Sequence, residues 1–176
     1  MFSPILTVKT LKPLLEAAKS AYKSMYNFDI SYMKVDTSDV PINTEGRPTK
    51  SIKLEQFGAC WTNKKTIYFN SKFYLAIRYY SQFDEVPASA QERIVDEIIT
   101  YTNALKHVMC HELAHEIYKN LATPEFKQKV HAEAEKFTTS YLKSLDPESG
   151  KYNEELFCEY LGSNVGASLA TLEIRL

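Results

Sequence analysis

The chain has 176 residues, 44% of them hydrophobic and 24% charged, with a formal net charge of −1. These are ordinary globular values, which exclude a disordered or low-complexity chain and favour one domain with a substantial core. The even mixture of Lys and Arg with Asp and Glu forms no basic stripe, so no nucleic-acid partner is expected.

Three cysteines, Cys60, Cys110 and Cys158, are odd in number and form no spaced framework, which fits free thiols in a reducing compartment. The first nine residues have no basic stretch followed by a long apolar run, and no apolar run anywhere approaches a membrane span. The expectation is a cytoplasmic protein with no membrane partner. No feature of the sequence sets an oligomeric state.

In chain order, Leu11, Leu14, Leu15, Ala18, Tyr22 and Met25 recur at helical spacing and predict a helix over 10–26. Partial alternation predicts a strand over 28–35, and Pro41, Asn43, Gly46 and Pro48 predict a loop over 36–49. Apolar residues at 52, 54, 57, 59 and 61, a polar turn over 62–65 and Thr66-Ile67-Tyr68-Phe69-Asn70 predict a hairpin. Gly58 marks a bulge or a close backbone approach within it. Ser71 can cap a short helix reaching Tyr80, which Pro87 and its neighbours end.

Ser89, with Glu92 three residues on, makes a capping box for the longest helix, to about residue 120. Thr123 and Pro124 start another, expected to run to about residue 145. Residues 146–150 form a turn, and Asn153 is the expected cap of a last helix.

The long helix carries His111-Glu112-Leu113-Ala114-His115, a match to H-E-x-x-H. Residues four apart share a helix face, so His111 and His115 can offer imidazole nitrogens to one ion. Glu112 is then placed to act on a water beside that ion rather than on the ion itself. A catalytic zinc usually takes three protein ligands and keeps one open position. His131 is one candidate for the third, though its neighbours read as an ordinary charged face. The last helix is richer. Glu155 and Glu159 lie four apart, and two stacked carboxylates repel unless a cation lies near. His107, one turn before His111, suits a supporting or core role. Cys110 and Cys158 read as small residues that let two helices approach. A Cys110-dependent hydrolase is a weaker alternative.

H-E-x-x-H on a helix, followed about 40 residues later by helical Glu155-Leu156-Phe157-Cys158-Glu159-Tyr160-Leu161-Gly162, resembles the gluzincin metallopeptidases. That group includes thermolysin-like enzymes, CAAX-type proteases and small phage- and regulator-associated metallopeptidases. The motifs cover few residues, and the order of elements extends the likeness over roughly 51–165. The resemblance implies an α+β fold with a zincin-like single domain over 1–176. A small antiparallel or mixed sheet would pack on a long metal-binding helix, with a helical C-terminal half and residues 1–50 as a helix-strand extension. It implies Zn2+ held by His111, His115 and Glu155, with Glu159 orienting a ligating histidine. Glu159 stands where the family has Asp, which leaves Glu159 as an alternative ligand. It implies peptide or protein substrates laid along the hairpin, and hydrolysis by metal-activated water with Glu112 as general base. Tyr160, Tyr118, Tyr152 and His131 are the candidates for stabilising the oxyanion. The alternative is a catalytically silent binding or regulatory module on the same scaffold.

Overall fold

A computed structural model describes residues 3–39, 58–61, 64–74, 77 and 90–176. The predicted helix to Tyr80 and the Ser89 cap lie largely outside these residues, as does the first half of the strand predicted over 51–61.

The first helix, α1, is Val8–Tyr26. Thr7 caps it by accepting the Thr10 amide at 3.3 Å, and Asn27 closes it in the left-handed conformation at φ 60°. Leu11, Leu14, Leu15, Ala18 and Tyr22 are its buried stripe.

The strand expected over 28–35 begins later, as β1, Lys34–Ser38. The Asp29 side chain accepts the Ser31 amide at 3.0 Å, and the Met33 amide reaches the Ile30 carbonyl at 3.0 Å. This local turn takes the backbone groups a strand would use. It also puts both Ile30 and Met33 into the core. Part of the predicted loop, 36–38, is strand instead.

The hairpin forms from β2, Gly58–Trp61, and β3, Thr66–Asn70, paired antiparallel with Gly58 opposite Phe69. β1 adds to the other side of β3 in parallel, Lys34 opposite Thr66 and Ser38 opposite Asn70. The sheet is thus mixed, in the order β1-β3-β2, with β2 at an edge. Ile67 and Phe69 of the central strand are buried.

The long helix α2 is Ala90–Glu116, and it continues into a π-helical turn, Ile117–Leu121. Tyr101, Leu105, Met109, Cys110, Leu113, Ala114 and Ile117 are all buried along it. Thr123 caps α3, Pro124–Glu133, as its spacing predicts. The helix does not reach residue 145. It stops at Glu133, and a separate turn of helix, α4, Ser140–Lys143, starts after Thr139 accepts the Leu142 amide at 3.2 Å. The run Thr138-Thr139-Ser140 explains the break, because hydroxyl side chains favour caps over helix interiors.

The last helix, α5, is Tyr152–Ser168. Asn153 lies inside it and does not cap it, and the flanking Lys151 makes no side-chain cap. Glu154 and Glu155 place negative charge in the first turn instead.

The protein is mixed α+β. α1, β1, β3, α2 and α5 contribute to one core, and a small second cluster joins Ala134, Leu142 and Leu156. α2 and α5 form the most extensive helix pair. Cys110 and Cys158, both buried, lie on these two helices. A Cβ at Gly162 would lie 2.9 Å from both the His111 Cα and its amide nitrogen, so only glycine permits this separation.

Candidate metal centre

α2 places His107, His111 and His115 on three successive turns, and α5 faces them with Glu155 and Glu159 one turn apart. The close approach at Gly162 brings the two rows within reach. The Nε2 atoms of His111 and His115 are 3.2 Å apart. Glu155 joins them: Oε2 lies 3.1 Å from His111 Nε2, and Oε1 lies 3.4 Å from His115 Nε2. A tetrahedral zinc with bonds of 2.0–2.1 Å has ligand-to-ligand edges of roughly 3.3–3.4 Å, and each of these contacts is near that spacing, with Glu155 using a different oxygen towards each histidine. The buried Glu155 Oε2 has no aligned hydrogen-bond donor, although His111 is near. A buried carboxylate oxygen in that state is costly and suits a cation.

The other nitrogen of each ring meets a different carboxylate. His111 Nδ1 lies 2.9 Å from Glu159 Oε1, and His115 Nδ1 pairs with Glu154 Oε1 at 2.9 Å. Each of these carboxylates has a cationic or polar neighbour of its own. His107 Nε2 hydrogen-bonds Glu159 Oε1 at 3.1 Å, and Lys119 Nζ lies 3.8 Å from Glu154. Carboxylates behind ligating histidines fix ring orientation and raise basicity.

The electrostatics follow from this crowding. Burial works against a charge on His111, yet Glu155 and Glu159 push its pKa up to about 10. Burial likewise opposes charge on Glu159, but His107 and His111 hold it well below the usual carboxylate range. Glu155 and Glu154 are lowered in the same way, against burial, by His111 and His115 respectively. Glu112 is half-buried, and its charge is felt at His111 and at the Tyr141 hydroxyl. Four glutamates therefore face three imidazoles in a poorly solvated space, and a divalent cation would offset part of their negative charge.

Two of the residues at this site are not legible in the sequence. Glu154 has no spacing signal, because its role depends on how α5 crosses α2. Tyr141 arrives through the break between α3 and α4. Its ring is edge-on to His111 with centroids 6.1 Å apart, and its hydroxyl is near enough to Glu155 to feel that carboxylate's charge. Burial first, then Glu155, raise its pKa, so the hydroxyl keeps its proton and remains a donor.

The four residues that the sequence leaves open as oxyanion partners make other contacts. Tyr160 stacks edge-on with Phe137, and Tyr152 joins the small second cluster. Tyr118 packs on Phe157 with Lys127 over its ring. His131 Nε2 lies 3.1 Å from the Asn153 carbonyl, which leaves it bracing α3 against α5. Among the described residues, the groupings able to hold an ion are His111-His115-Glu155 and His107-His111-Glu159.

No family model matches the chain, and neither the curated proteins nor the solved structures contain a match. Among the described residues, no helix is long and apolar enough to cross a membrane.

Proposed function

We propose that this chain is a zinc-dependent peptidase of gluzincin type on a zincin-like fold, with His111, His115 and Glu155 as the zinc ligands. The observation that carries this reading is the meeting of His111 Nε2 and His115 Nε2 at 3.2 Å with the Glu155 carboxylate, which reaches the first through Oε2 at 3.1 Å and the second through Oε1 at 3.4 Å. Glu159 and Glu154 behind the histidines support it, since they occupy the Nδ1 positions that leave both Nε2 atoms for an ion. A bound zinc would lower the pKa of a water towards neutrality and polarise a substrate carbonyl.

The chain's own residues supply the rest. Glu112, next to the first ligand in sequence, takes the proton of the attacking water and delivers it to the leaving amine. Tyr141 donates a hydrogen bond to the carbonyl oxygen as negative charge grows on it. Extended substrate would pair with the outer edge of β2, the end strand of the sheet among the described residues, which packs close to α2. Peptides and unfolded protein segments are therefore the substrate class.

Glu112→Gln decides between catalysis and mere binding. Zinc should stay at one equivalent, and hydrolysis of a peptide library should fall by about three orders of magnitude or more. Wild-type protein that holds stoichiometric zinc and cleaves no library member would instead be a silent binding module on this scaffold.

A further inference from the structure

Glu116 follows the second ligand directly and is fully buried, yet it faces away from the zinc ligands. Its Oε1 accepts the Tyr32 hydroxyl at 2.8 Å and the Lys65 ammonium at 2.6 Å. Its Oε2 accepts the Asn120 amide at 3.0 Å. One carboxylate thus ties three separate segments. Tyr32 precedes β1, Lys65 ends the turn between β2 and β3, and Asn120 sits in the π-helical turn that extends α2.

The hairpin end of this cage is unusual. Lys65 adopts the left-handed conformation at φ 53°, which a lysine does at some cost. Its carbonyl accepts the Lys34 amide at 2.9 Å, and its ammonium also lies 5.5 Å from the centre of the Tyr32 ring. The position is therefore over-determined by contacts to both Glu116 and β1. Burying a carboxylate this completely is costly, and apolar residues of similar volume would pack the same space more cheaply. What a buried, directional charge cluster adds is a single allowed register between the parts it joins.

We infer that Glu116 is a positioning residue that sets the β2–β3 hairpin, and with it the substrate-binding edge of β2, at a fixed height beside the zinc ligands. This rests on the peptidase reading. His115 and Glu116 are adjacent in sequence, so their side chains leave α2 about 100° apart. The metal side and the hairpin side of the same helical turn are thereby registered to one another. Disturbing the cage should move the hairpin and leave the ligands where they are.

The test uses Lys65→Met, which keeps the side-chain length at a partly exposed position, with Lys65→Arg as the conservative variant and Glu116→Gln as a second probe. Hydrogen exchange at the β2 and β3 amides should speed up by about tenfold or more in Lys65→Met. The KM for an extended peptide should rise by about tenfold, while kcat and zinc affinity stay within about threefold. Lys65→Arg should restore both quantities towards wild type. A residue needed only for packing would lower thermal stability without this split between KM and kcat.

Unchanged exchange in the hairpin of both Lys65→Met and Glu116→Gln overturns the inference, as does a fall in zinc affinity parallel to the rise in KM. Wild-type protein that cleaves no peptide defeats the peptidase reading by itself. The exchange measurement still decides whether Glu116 holds the hairpin.

Discussion

The helix contact at Gly162 provides the sharpest test of how this site is built. Replacing Gly162 with Ala would put a Cβ 2.9 Å from two His111 backbone atoms and 3.3 Å from the Cys110 carbonyl carbon. Carbon atoms in packed interiors sit at about 3.5–4.0 Å, so α5 and α2 must part by roughly 0.5–1 Å. All the clashing atoms are backbone, and no rotamer change relieves them. Overpacking of this kind costs about 1–3 kcal/mol. The displacement also carries Glu155 and Glu159 away from His111, whereas metal sites tolerate only about 0.2 Å in their distances. Zinc affinity should therefore drop by about 10–100-fold, the range seen when a site's supporting residues are lost.

Gly166 is the matched control. It lies one turn further along α5, and a Cβ there meets nothing closer than 3.8 Å, at the His107 Cα. Gly166→Ala should leave zinc affinity unchanged and stabilise the helix by up to about 1 kcal/mol. Chelator competition gives the affinities, and thermal unfolding of the metal-free variants gives the stabilities. If Gly162→Ala binds zinc as wild type does and melts no lower, the close approach of the two helices is not what assembles the ligands.

Three further outcomes are expected. Glu155→Ala should weaken zinc binding far more than Glu159→Ala or Glu154→Ala, each of the latter costing about 10–100-fold by chelator titration. The reverse order would make Glu159 the ligand. On the proposed mechanism, in which its hydroxyl donates to the developing oxyanion, Tyr141→Phe should lower kcat by about 10²–10³ and leave zinc affinity nearly unchanged. Equal activity in steady-state assays would remove Tyr141 from the mechanism. Zinc binding should release about one proton from His111 near pH 7, because its pKa in the metal-free protein is raised to about 10 from 6.5. The sign follows from that rise. The protonated form dominates throughout the neutral range, so apparent affinity climbs with pH and levels off only towards pH 10. The same raised pKa stabilises the metal-free fold fully below pH 6.5, and that contribution is lost as pH climbs through about 10. Calorimetric titration in buffers of differing ionisation enthalpy counts the proton, and a count of zero refutes the argument.

How much of this is legible in the sequence depends on whether a signal is local. The stripe on α1, the Thr123-Pro124 start and the antiparallel pairing of β2 with β3 each rest on a few neighbouring residues, and each forms as expected except that Met25, at the end of the stripe, is exposed. The H-E-x-x-H spacing similarly places His111 and His115 side by side, because helix periodicity alone sets that distance. The parallel pairing of β1 with β3 is another matter. It joins residues about 30 apart, and no pattern within either strand encodes its partner. The end of α3 at Glu133 is also missed, because the helical periodicity of Val130, Ala134, Phe137 and Tyr141 continues across the break. Only the hydroxyl run at 138–140 hints at the cap that stops it. Tyr141 reaches the ligands through that break, so an error in one helix boundary conceals a residue of the site. Glu154 is hidden for a different reason. Which carboxylate backs His115 depends on how α2 and α5 pack, and their close approach requires glycine at position 162.

Glu159 shows how such a departure from an expected pattern can be structural sense. The resembled motif has Asp at this position, and Glu adds one methylene. The same oxygen, Oε1, lies 2.9 Å from His111 Nδ1 and 3.1 Å from His107 Nε2, while the two rings are one turn apart with centroids separated by 6.3 Å. The α2–α5 separation is already as small as Gly162 allows. A shorter Asp on the same backbone would draw its carboxylate back towards α5 by roughly 1.5 Å, one carbon–carbon bond length. It could not then meet both imidazoles from a midpoint between two turns. The extra methylene and His107 therefore belong together. The longer side chain reaches further, and the second histidine fixes where it ends, so a flexible glutamate serves as a defined partner for His111.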